Sequence, residues 1–545
     1  MTSNQTLYFN GNILTMVGDQ PEYVEAVLVT DGKITFTGNK KQASTLAGQD
    51  AKLHDLQGHT LTPGFIDTWG HFGLFAQQTL SLNVGYFADN PPRSRSELIT
   101  QLKQSGKLLN GWLIAAEYMD GLMKDGPLTM ADLDTAFPDT PVLVQNISTL
   151  AGLFNTAGLK KLGITADAKV ESGTIVVDPN THQMTGIIIG LPYLKAVAEA
   201  YGKFSQDLTF KTYQSAEKIY ASYGTTTAQH YQASPDDIQL MRLAADSGAV
   251  SIDLVALPMS DTVDALLKDN PDFSFGVYSK GDHGFKVAGM LMSTDGGPQL
   301  KLAYLSEPYS NTTGFPDDWR GMAYYTQEQV DHYTKLAYEK NIPYFCYSNG
   351  DAGIDMALAA IKKAIAETGI TEDRRTTISH SFFAREDQLN DYKTNHIIAI
   401  TLSNHMWLYG DIYLDIVGQE RADNFCPMVT AHNKGIVVGI HNDVPSSGPD
   451  CLFTIWSAVN RKTMSGKTLG AKEKMNPYLA LQAFTSNAAY VYREENTKGK
   501  IMPGMLADLV ELDQNPLTVD PDTIKDIKVV NTIKNGKVIY SRSAN

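Results

Sequence analysis

Cysteine is scarce in this chain, with only three among 545 residues: Cys346, Cys426 and Cys451. Their odd number and their spacing fit neither a disulfide framework nor a cysteine metal site, so a reducing compartment, the cytoplasm, is the expected location. The N-terminal residues lack the basic region and apolar run of a signal peptide. No stretch approaches the ~18 consecutive apolar residues of a membrane span.

Positive charge is also in deficit, because 45 Lys and Arg face 60 Asp and Glu, a formal net charge of −15. Such a balance argues against nucleic acid and anionic membranes as partners. Hydrophobic residues make up 43% of the chain, which at this length allows a large core and an accessory domain. We expect an enzyme with a small-molecule substrate, and the sequence leaves a homodimer open.

The two ends of the chain share one pattern, short apolar runs separated by turns. Asn-Gly and Asp-Gly pairs between these runs are strong hairpin signals, and they occur in both terminal regions. We therefore predict one small composite β-sandwich domain built from residues 1–62 and 490–545.

The middle of the chain alternates strand-like runs with helical patterns such as 326–340 and 351–368, which predicts a parallel α/β fold. Candidate barrel strands end near Asp67, Gln229, Pro258, Thr294, Tyr347, His380, Ser403 and Asp443. This pattern predicts a (β/α)8 TIM-type barrel over residues 63–489, with its chemistry at the carboxyl ends of the strands. Residues 78–205, which include a predicted hairpin over 173–186, do not fit the repeat and are expected to form an insertion after strand one.

Several segments carry a family resemblance. They are Leu61-Thr-Pro-Gly-Phe-Ile-Asp-Thr-Trp-Gly-His71, Asp295-Gly-Gly-Pro-Gln-Leu-Lys301, Asn349-Gly-Asp-Ala-Gly-Ile-Asp355, His441-Asn-Asp443 and Pro503-Gly-Met-Leu-Ala-Asp-Leu509. In this order and spacing the chain resembles the amidohydrolase superfamily, in particular the branch that includes N-substituted formamide deformylase (amidohydrolase family 3). The resemblance covers nearly the whole chain. It implies divalent metals, often zinc, held by His-x-His on strand one, an acidic residue or carbamylated Lys on strand four, His on strands five and six, and Asp on strand eight.

Only half of those ligand positions keep a metal-binding residue in this chain. The retained residues are His71, His380 and Asp443, and the replaced positions are Trp69, Leu291 and Tyr347. An indole N–H has no lone pair for a cation, and Lys286, five positions before Leu291, would reach the site only in another strand register. We expect a degraded metal site without a binuclear centre and favour no cofactor; the alternative is a single zinc held by His71, His380 and Asp443.

The retained residues also suggest metal-independent chemistry. Asp443 could act as a general base or orient His71 or His380 as one, and the Tyr347 phenol could donate a proton or stabilise an oxyanion. The candidate catalytic residues are therefore Asp443, His380, His71 and Tyr347. For His71 and His380 the structural alternative is a buried histidine hydrogen-bonded to the backbone, and for Tyr347 it is the filling of a vacated cavity.

A second set of residues is expected to contact substrate: Trp69, His405, His441, His230 and Lys301. Trp69 would pack against substrate or plug the metal cavity. His230 stands where relatives commonly have an acidic residue, and filling of a vacated cavity is its structural alternative. Lys301 follows a family pattern, but a solvated surface position explains it as well.

Three functions are compatible with these residues. The first is an amidohydrolase-like hydrolase, or a lyase or isomerase, that acts on a small carbonyl-bearing or aromatic substrate by His/Tyr/Asp acid–base chemistry. The second is a mononuclear zinc hydrolase of amide or formamide C–N bonds. The third is a non-catalytic binding protein on the same fold. The titratable residues retained at the predicted barrel mouth favour an enzyme.

Overall fold

The computed structural model describes residues 4–170 and 173–543. Its backbone contacts divide the chain into two units. The first, which we call the barrel unit, comprises Met1–Gly70, Glu217–Asn442 and Asp450–Asn545, and the second, the insertion unit, comprises His71–Ala216 and Asp443–Pro449. Among the helices of the described residues, none is long and apolar enough to cross a membrane.

The barrel unit contains one eight-stranded sheet whose strands come from both ends of the chain. These strands are Gln5–Leu14, Tyr23–Thr30, Lys33–Gly38, Lys52–Asp55, Thr60–Pro63, Leu509–Leu512, Val529–Lys534 and Lys537–Ser541. Thr60–Pro63 pairs in parallel with the first strand and antiparallel with Leu509–Leu512, so it joins the two ends. All eight strands belong to one hydrogen-bonded sheet, and the predicted two-layer sandwich stays a prediction.

Two hairpins of this sheet show why the sequence turns where it does. Asp31 and Gly32 have φ of 50° and 84°, and Asn535 and Gly536 have φ of 49° and 73°. A tight hairpin turn of this kind needs positive φ at both central residues, which Asn-Gly and Asp-Gly tolerate best. The hairpin signals in the sequence therefore locate these turns.

The same unit contains eight parallel strand positions in chain order. They are Phe65–Ile66, Thr225–Tyr231, Asp253–Leu257, Phe285–Val287 with Met290–Ser293, Tyr344–Ser348, Thr377–His380, Ile398–Thr401 and Val438–Ile440. We number them barrel strands one to eight. Barrel strand four is interrupted at Gly289, where a Cβ atom would lie 2.1 Å from the carbonyl oxygen of Pro343. Neighbouring strands on either side of this break pair in parallel.

Helices alternate with these strands, as the sequence pattern predicts. They span Pro235–Ser247, Ser260–Asp269, Gln327–Glu339, Asp351–Thr368, Glu386–Thr394, His405–Val417, Gln419–Asp423, Met428–Asn433, Cys451–Asn460, Pro477–Phe484 and Ser486–Val491. The helix Gln327–Glu339 begins at Thr326, whose side chain and that of Gln329 form a capping box, which satisfies two N–H groups of the first turn. The two helices expected over 326–340 and 351–368 are thereby confirmed.

The insertion unit has its own sheet of seven strands: Leu82–Asn83, Leu108–Leu109, Trp112–Tyr118, Val142–Asn146, Ala151–Phe154, Gly173–Val177 and Met184–Gly190. Its helices are Phe72–Gln78, Arg95–Ser105, Met130–Ala136, Thr156–Leu162 and Leu191–Tyr201, and a helix over Gln206–Ser222 follows in the chain. Trp112, Phe154 and Tyr193 are fully buried in its core. The last two strands pair antiparallel, which confirms the hairpin predicted at 173–186.

Candidate active site

An aromatic cluster lies at the carboxyl ends of the barrel strands, around Trp69. The side chain of Trp69 is 1% exposed. Its ring centroid lies 4.6 Å from that of Tyr231, 5.6 Å from Tyr347, 5.4 Å from His380 and 6.1 Å from His441. Each of these five rings lies on, or directly after, one of barrel strands one, two, five, six and eight. We call Trp69, Tyr231, Tyr347, His380 and His441 the aromatic cluster.

The three residues that the sequence analysis expects at replaced ligand positions lie together in this region. Trp69 and Leu291 are buried in one hydrophobic core, and Tyr347 packs against the same core. The rings of Trp69 and Tyr347 are stacked, with 24° between their planes. The space expected to hold metal-binding side chains is therefore occupied by packed aromatic and aliphatic groups.

Lys286 does not take the place of the missing strand-four ligand. Its ammonium group is buried, forms an ion pair with Glu494 and donates a hydrogen bond to the Tyr492 carbonyl at 3.1 Å. Moving this charge to the position of Leu291 would break a buried ion pair, which is strongly unfavourable. The sequence prediction that another register would be needed agrees with this geometry.

His380 ends barrel strand six in a strained conformation. Its φ is 73° and that of Ser381 is 47°, values that cost a non-glycine residue roughly 1–2 kcal/mol. Such strain persists where the surrounding structure enforces it, and it concentrates at functional sites. The strained backbone places the His380 ring 4.3 Å from Tyr347, edge to face, and 5.0 Å from His441.

Burial determines the protonation state of Tyr347 and of His405. Burial raises the pKa of Tyr347 well above its usual value, so the phenol stays protonated and can donate a hydrogen bond. Burial lowers the pKa of His405 from 6.5 to about 3, so its imidazole is neutral, and its Nδ1 lies 3.2 Å from the Tyr413 hydroxyl. Phe382 packs against both His380 and His405, at 4.9 Å and 5.5 Å between ring centroids.

Asp295 is a buried carboxylate. It belongs to the family motif at residues 295–301, but the sequence analysis did not include it among the candidate site residues. It accepts hydrogen bonds from the N–H groups of Asn349, Gly350 and Tyr304 at 2.8, 2.7 and 2.9 Å. Burial raises its pKa to about 7, against the opposing effect of these donors. Asp295 therefore ties the end of barrel strand four to the residues that follow Tyr347.

The insertion unit contains the other two candidate catalytic residues. His71 Nε2 lies 3.4 Å from Asp443 Oδ1, and the His71 N–H donates to the carbonyl of Val444 at 2.7 Å. Asp443 has φ of 55°, so it is a second residue with a strained backbone. A carboxylate beside an imidazole can fix the orientation of the ring and stabilise its protonated form.

Two of the proposed substrate-binding residues have structural partners. His230 Nε2 lies 3.6 Å from Asp237 Oδ2. Burial alone would raise the pKa of Asp237, but hydrogen bonds from His230 and Ser234 outweigh it and lower the pKa to about 2. Lys301 donates from Nζ to the Thr313 carbonyl at 2.9 Å. For both residues a role in substrate binding stays a prediction.

Tyr231 is a member of the cluster that the sequence analysis missed. It directly follows His230 at the end of barrel strand two, and its ring lies closer to Trp69 than any other ring of the cluster. Side chains alternate between the two faces of a strand. If His230 points to one face of barrel strand two, Tyr231 points to the other. Considering both faces at this strand end would have identified Tyr231.

The strand order and the titratable side chains at the strand ends are those of enzymes of the (β/α)8-barrel class. The model of the amidohydrolase family matches residues 52–540. The chain belongs to this family and is a hydrolase.

Relatives and solved structures match over nearly the whole length. YtcJ of Bacillus subtilis (strain 168) is 24% identical over 99% of this chain and 100% of its own. N-substituted formamide deformylase of Arthrobacter pascens is 21% identical over 98% of each chain. An uncharacterized metal-dependent hydrolase from Pyrococcus horikoshii OT3 has the same fold, with a TM-score of 0.74 and 21% identity over 95% of this chain and 99% of its own.

Proposed function

We propose that this protein hydrolyses a C–N bond in a small carbonyl-bearing or aromatic substrate by His/Tyr/Asp acid–base chemistry, without the binuclear metal centre of its family. The observation that carries the proposal is the packing of Trp69, Leu291 and Tyr347 against one another at three family ligand positions. The name of the Arthrobacter pascens relative points to formamides as the first compounds to test.

The donor set does not fit a binuclear centre. Trp69 and Leu291 have no lone pair to offer a cation, and Tyr347 is packed as an aromatic ring. Replacing any of them by a ligand side chain would also remove packing from the core. No step of the proposed reaction therefore passes through a pair of metals.

In the proposed reaction His71 takes the proton from the water that attacks the carbonyl and returns it to the leaving nitrogen as the C–N bond breaks, while Asp443 orients the imidazole and stabilises its charged form. Their separation of 3.4 Å supports this pairing. Such a positioned base contributes about 10²–10⁴ in rate. His380 is the second candidate acid or base, supported by its strained backbone at the end of barrel strand six.

Tyr347 is proposed as a hydrogen-bond donor to the oxyanion that forms when water attacks a carbonyl. Its protonated phenol supports this role, since an aimed donor stabilises charge that develops in the transition state. His405 is proposed to contact substrate as a neutral polar group. His441 is proposed to contact substrate because its ring belongs to the aromatic cluster. Trp69 supplies the apolar wall.

A single zinc is the second candidate, and one distance favours it. Two ligands of a tetrahedral zinc, each about 2.0–2.1 Å from the ion, lie roughly 3.4 Å apart, which equals the separation of His71 Nε2 and Asp443 Oδ1. Within the described ranges, however, no three His, Cys, Asp or Glu side chains form a group arranged for a metal. If bound there, zinc would supply Lewis acidity toward the substrate carbonyl.

One experiment separates these candidates. The purified protein is analysed for metals by mass spectrometry, and the release of amine from a panel of N-substituted formamides and amides is measured before and after exhaustive chelation. We expect substoichiometric zinc and retained activity. Activity that is lost in chelator and restored by added zinc would overturn the metal-free proposal in favour of the single-zinc hydrolase.

A variant pair completes the test. Asp443→Asn should abolish most activity, whereas Asp269→Asn, the same change on an exposed position of the helix Ser260–Asp269, should leave activity unchanged. Full activity in Asp443→Asn would contradict both candidate mechanisms.

A further inference from the structure

A cleft of about 890 Å³ opens on the barrel unit among the segments that follow barrel strands four to eight. This volume lies in the range of small-molecule pockets. Its floor is apolar and buried, and consists of Leu305, Phe383, Ala384, Leu389, Val417 and Pro427. None of Trp69, Tyr347, His380 and His441 lines it, so we call it the second cleft.

Arg421 lines the second cleft, and among the described residues its guanidinium forms no direct ion pair with a carboxylate. Its guanidinium donates to the carbonyls of Val417 and Glu307 at 2.7 and 3.3 Å and to Ser310 Oγ at 3.0 Å. All three acceptors are neutral, and within the described part of the chain it forms no ion pair. Burial lowers the pKa of Arg421, and the carboxylates of Asp351, Glu307 and Glu420, which lie beyond ion-pair distance, offset this effect only in part.

The carboxylates of the cleft are either engaged elsewhere or exposed to solvent. Asp351 accepts from Arg385 at 3.0 Å and from Ser306, and Glu473 accepts from Thr430 and from the N–H of Val429. Glu386 pairs with Lys434, while Glu307 and Glu420 stand exposed at the rim, where solvent screens them. Arg421, by contrast, is half-buried and forms no direct ion pair with any of these carboxylates.

We propose that the second cleft binds a small amphipathic carboxylate, whose anionic group pairs with Arg421 and whose apolar group covers the floor. Arginine presents a planar fork that matches a carboxylate. The proposal is independent of the reaction assigned above, because it concerns different residues.

Phenylacetate and its neutral isostere phenylacetamide are suitable probes, since they share the apolar ring and differ in charge. Isothermal titration calorimetry with the full chain measures both. A charge-assisted hydrogen bond improves affinity by about ten- to hundredfold, so phenylacetate should bind at least about tenfold more tightly than phenylacetamide. Binding without this preference would overturn the proposal, whatever the outcome of the activity assays.

Three variants locate the site. Arg421→Gln should remove the preference for the carboxylate, and Arg242→Gln, the same change on the exposed face of the helix Pro235–Ser247, should retain it. Asn424→Trp keeps Arg421 but places an indole at an exposed lining position, so it should block both probes even if Arg421→Gln folds poorly. Unchanged phenylacetate binding in Asn424→Trp would show that the probe binds elsewhere.

Discussion

Trp69→Ala is the perturbation that most directly tests the packing of the aromatic cluster. The indole is 1% exposed and contacts the rings of Tyr231, Tyr347, His380 and His441. Its removal leaves a cavity that these four rings, held on four different strand ends, cannot close. If Trp69 only capped an open site, the same change would cost little.

Truncation of a buried Trp to Ala costs about 3–5 kcal/mol, and each aromatic pair adds about 0.5–1.5 kcal/mol to the burial contribution. We therefore expect a loss in unfolding free energy near the upper end of that range. For a chain of 545 residues an unfolding entropy of about 2.1 cal/mol/K per residue converts 4 kcal/mol into a fall in Tm of roughly 3–4 °C.

Urea denaturation followed by circular dichroism measures the free energy, and differential scanning calorimetry gives Tm. Trp319→Ala is the matched control, because Trp319 is only half-buried and donates one hydrogen bond from Nε1 to the Lys301 carbonyl. The control should cost about 1–2 kcal/mol. A loss below about 1 kcal/mol for Trp69→Ala would refute the inference that the Trp69 indole is packed as a core side chain.

Three further predictions concern the site. His380→Ala should lower turnover by about 10²–10⁴ if this imidazole is a positioned acid or base; unchanged kcat would remove it from the mechanism. Tyr347→Phe should cost less than His380→Ala, and an equal loss in kcat would instead make the phenol the obligatory proton donor. Burial lowers the pKa of His405 from 6.5 to about 3, so the unfolded chain binds a proton there that the folded chain excludes. Burial of neutral His405 therefore carries no protonation penalty above pH 6.5. The free energy of unfolding falls by on the order of 4 kcal/mol as pH drops from 6.5 to 3. His405→Gln should flatten this acid limb in denaturation measured between pH 7 and 4, and an unaltered limb would contradict the assignment.

The sequence located features that depend on neighbouring residues. The Asp31-Gly32 and Asn535-Gly536 turns follow from the need for positive φ, and the helix Asp351–Thr368 follows from its apolar periodicity. The motif around Trp69 and His71 also identified the family, which the match over residues 52–540 confirms. These signals depend on residues close together in the chain, so they can be recognised without knowledge of the fold.

The partners of buried side chains lay beyond such signals. The pairing of His230 with Asp237 joins a strand end to the helix that follows, and the break at Gly289 arises because the chain passes close to the Pro343 carbonyl. Asp295 gained its role from N–H groups supplied by a different strand end. No spacing within one segment could specify contacts of this kind.

The sequence by itself therefore determined where many of the helices and turns form and which side chains stand at the expected ligand positions, because backbone geometry and the chemistry of each side chain are local properties. Only the tertiary structure decided that Trp69, Leu291 and Tyr347 pack together, and that His71 lies 3.4 Å from Asp443. Those contacts join residues far apart in the chain, and their distances are set by how whole strands and loops pack against one another.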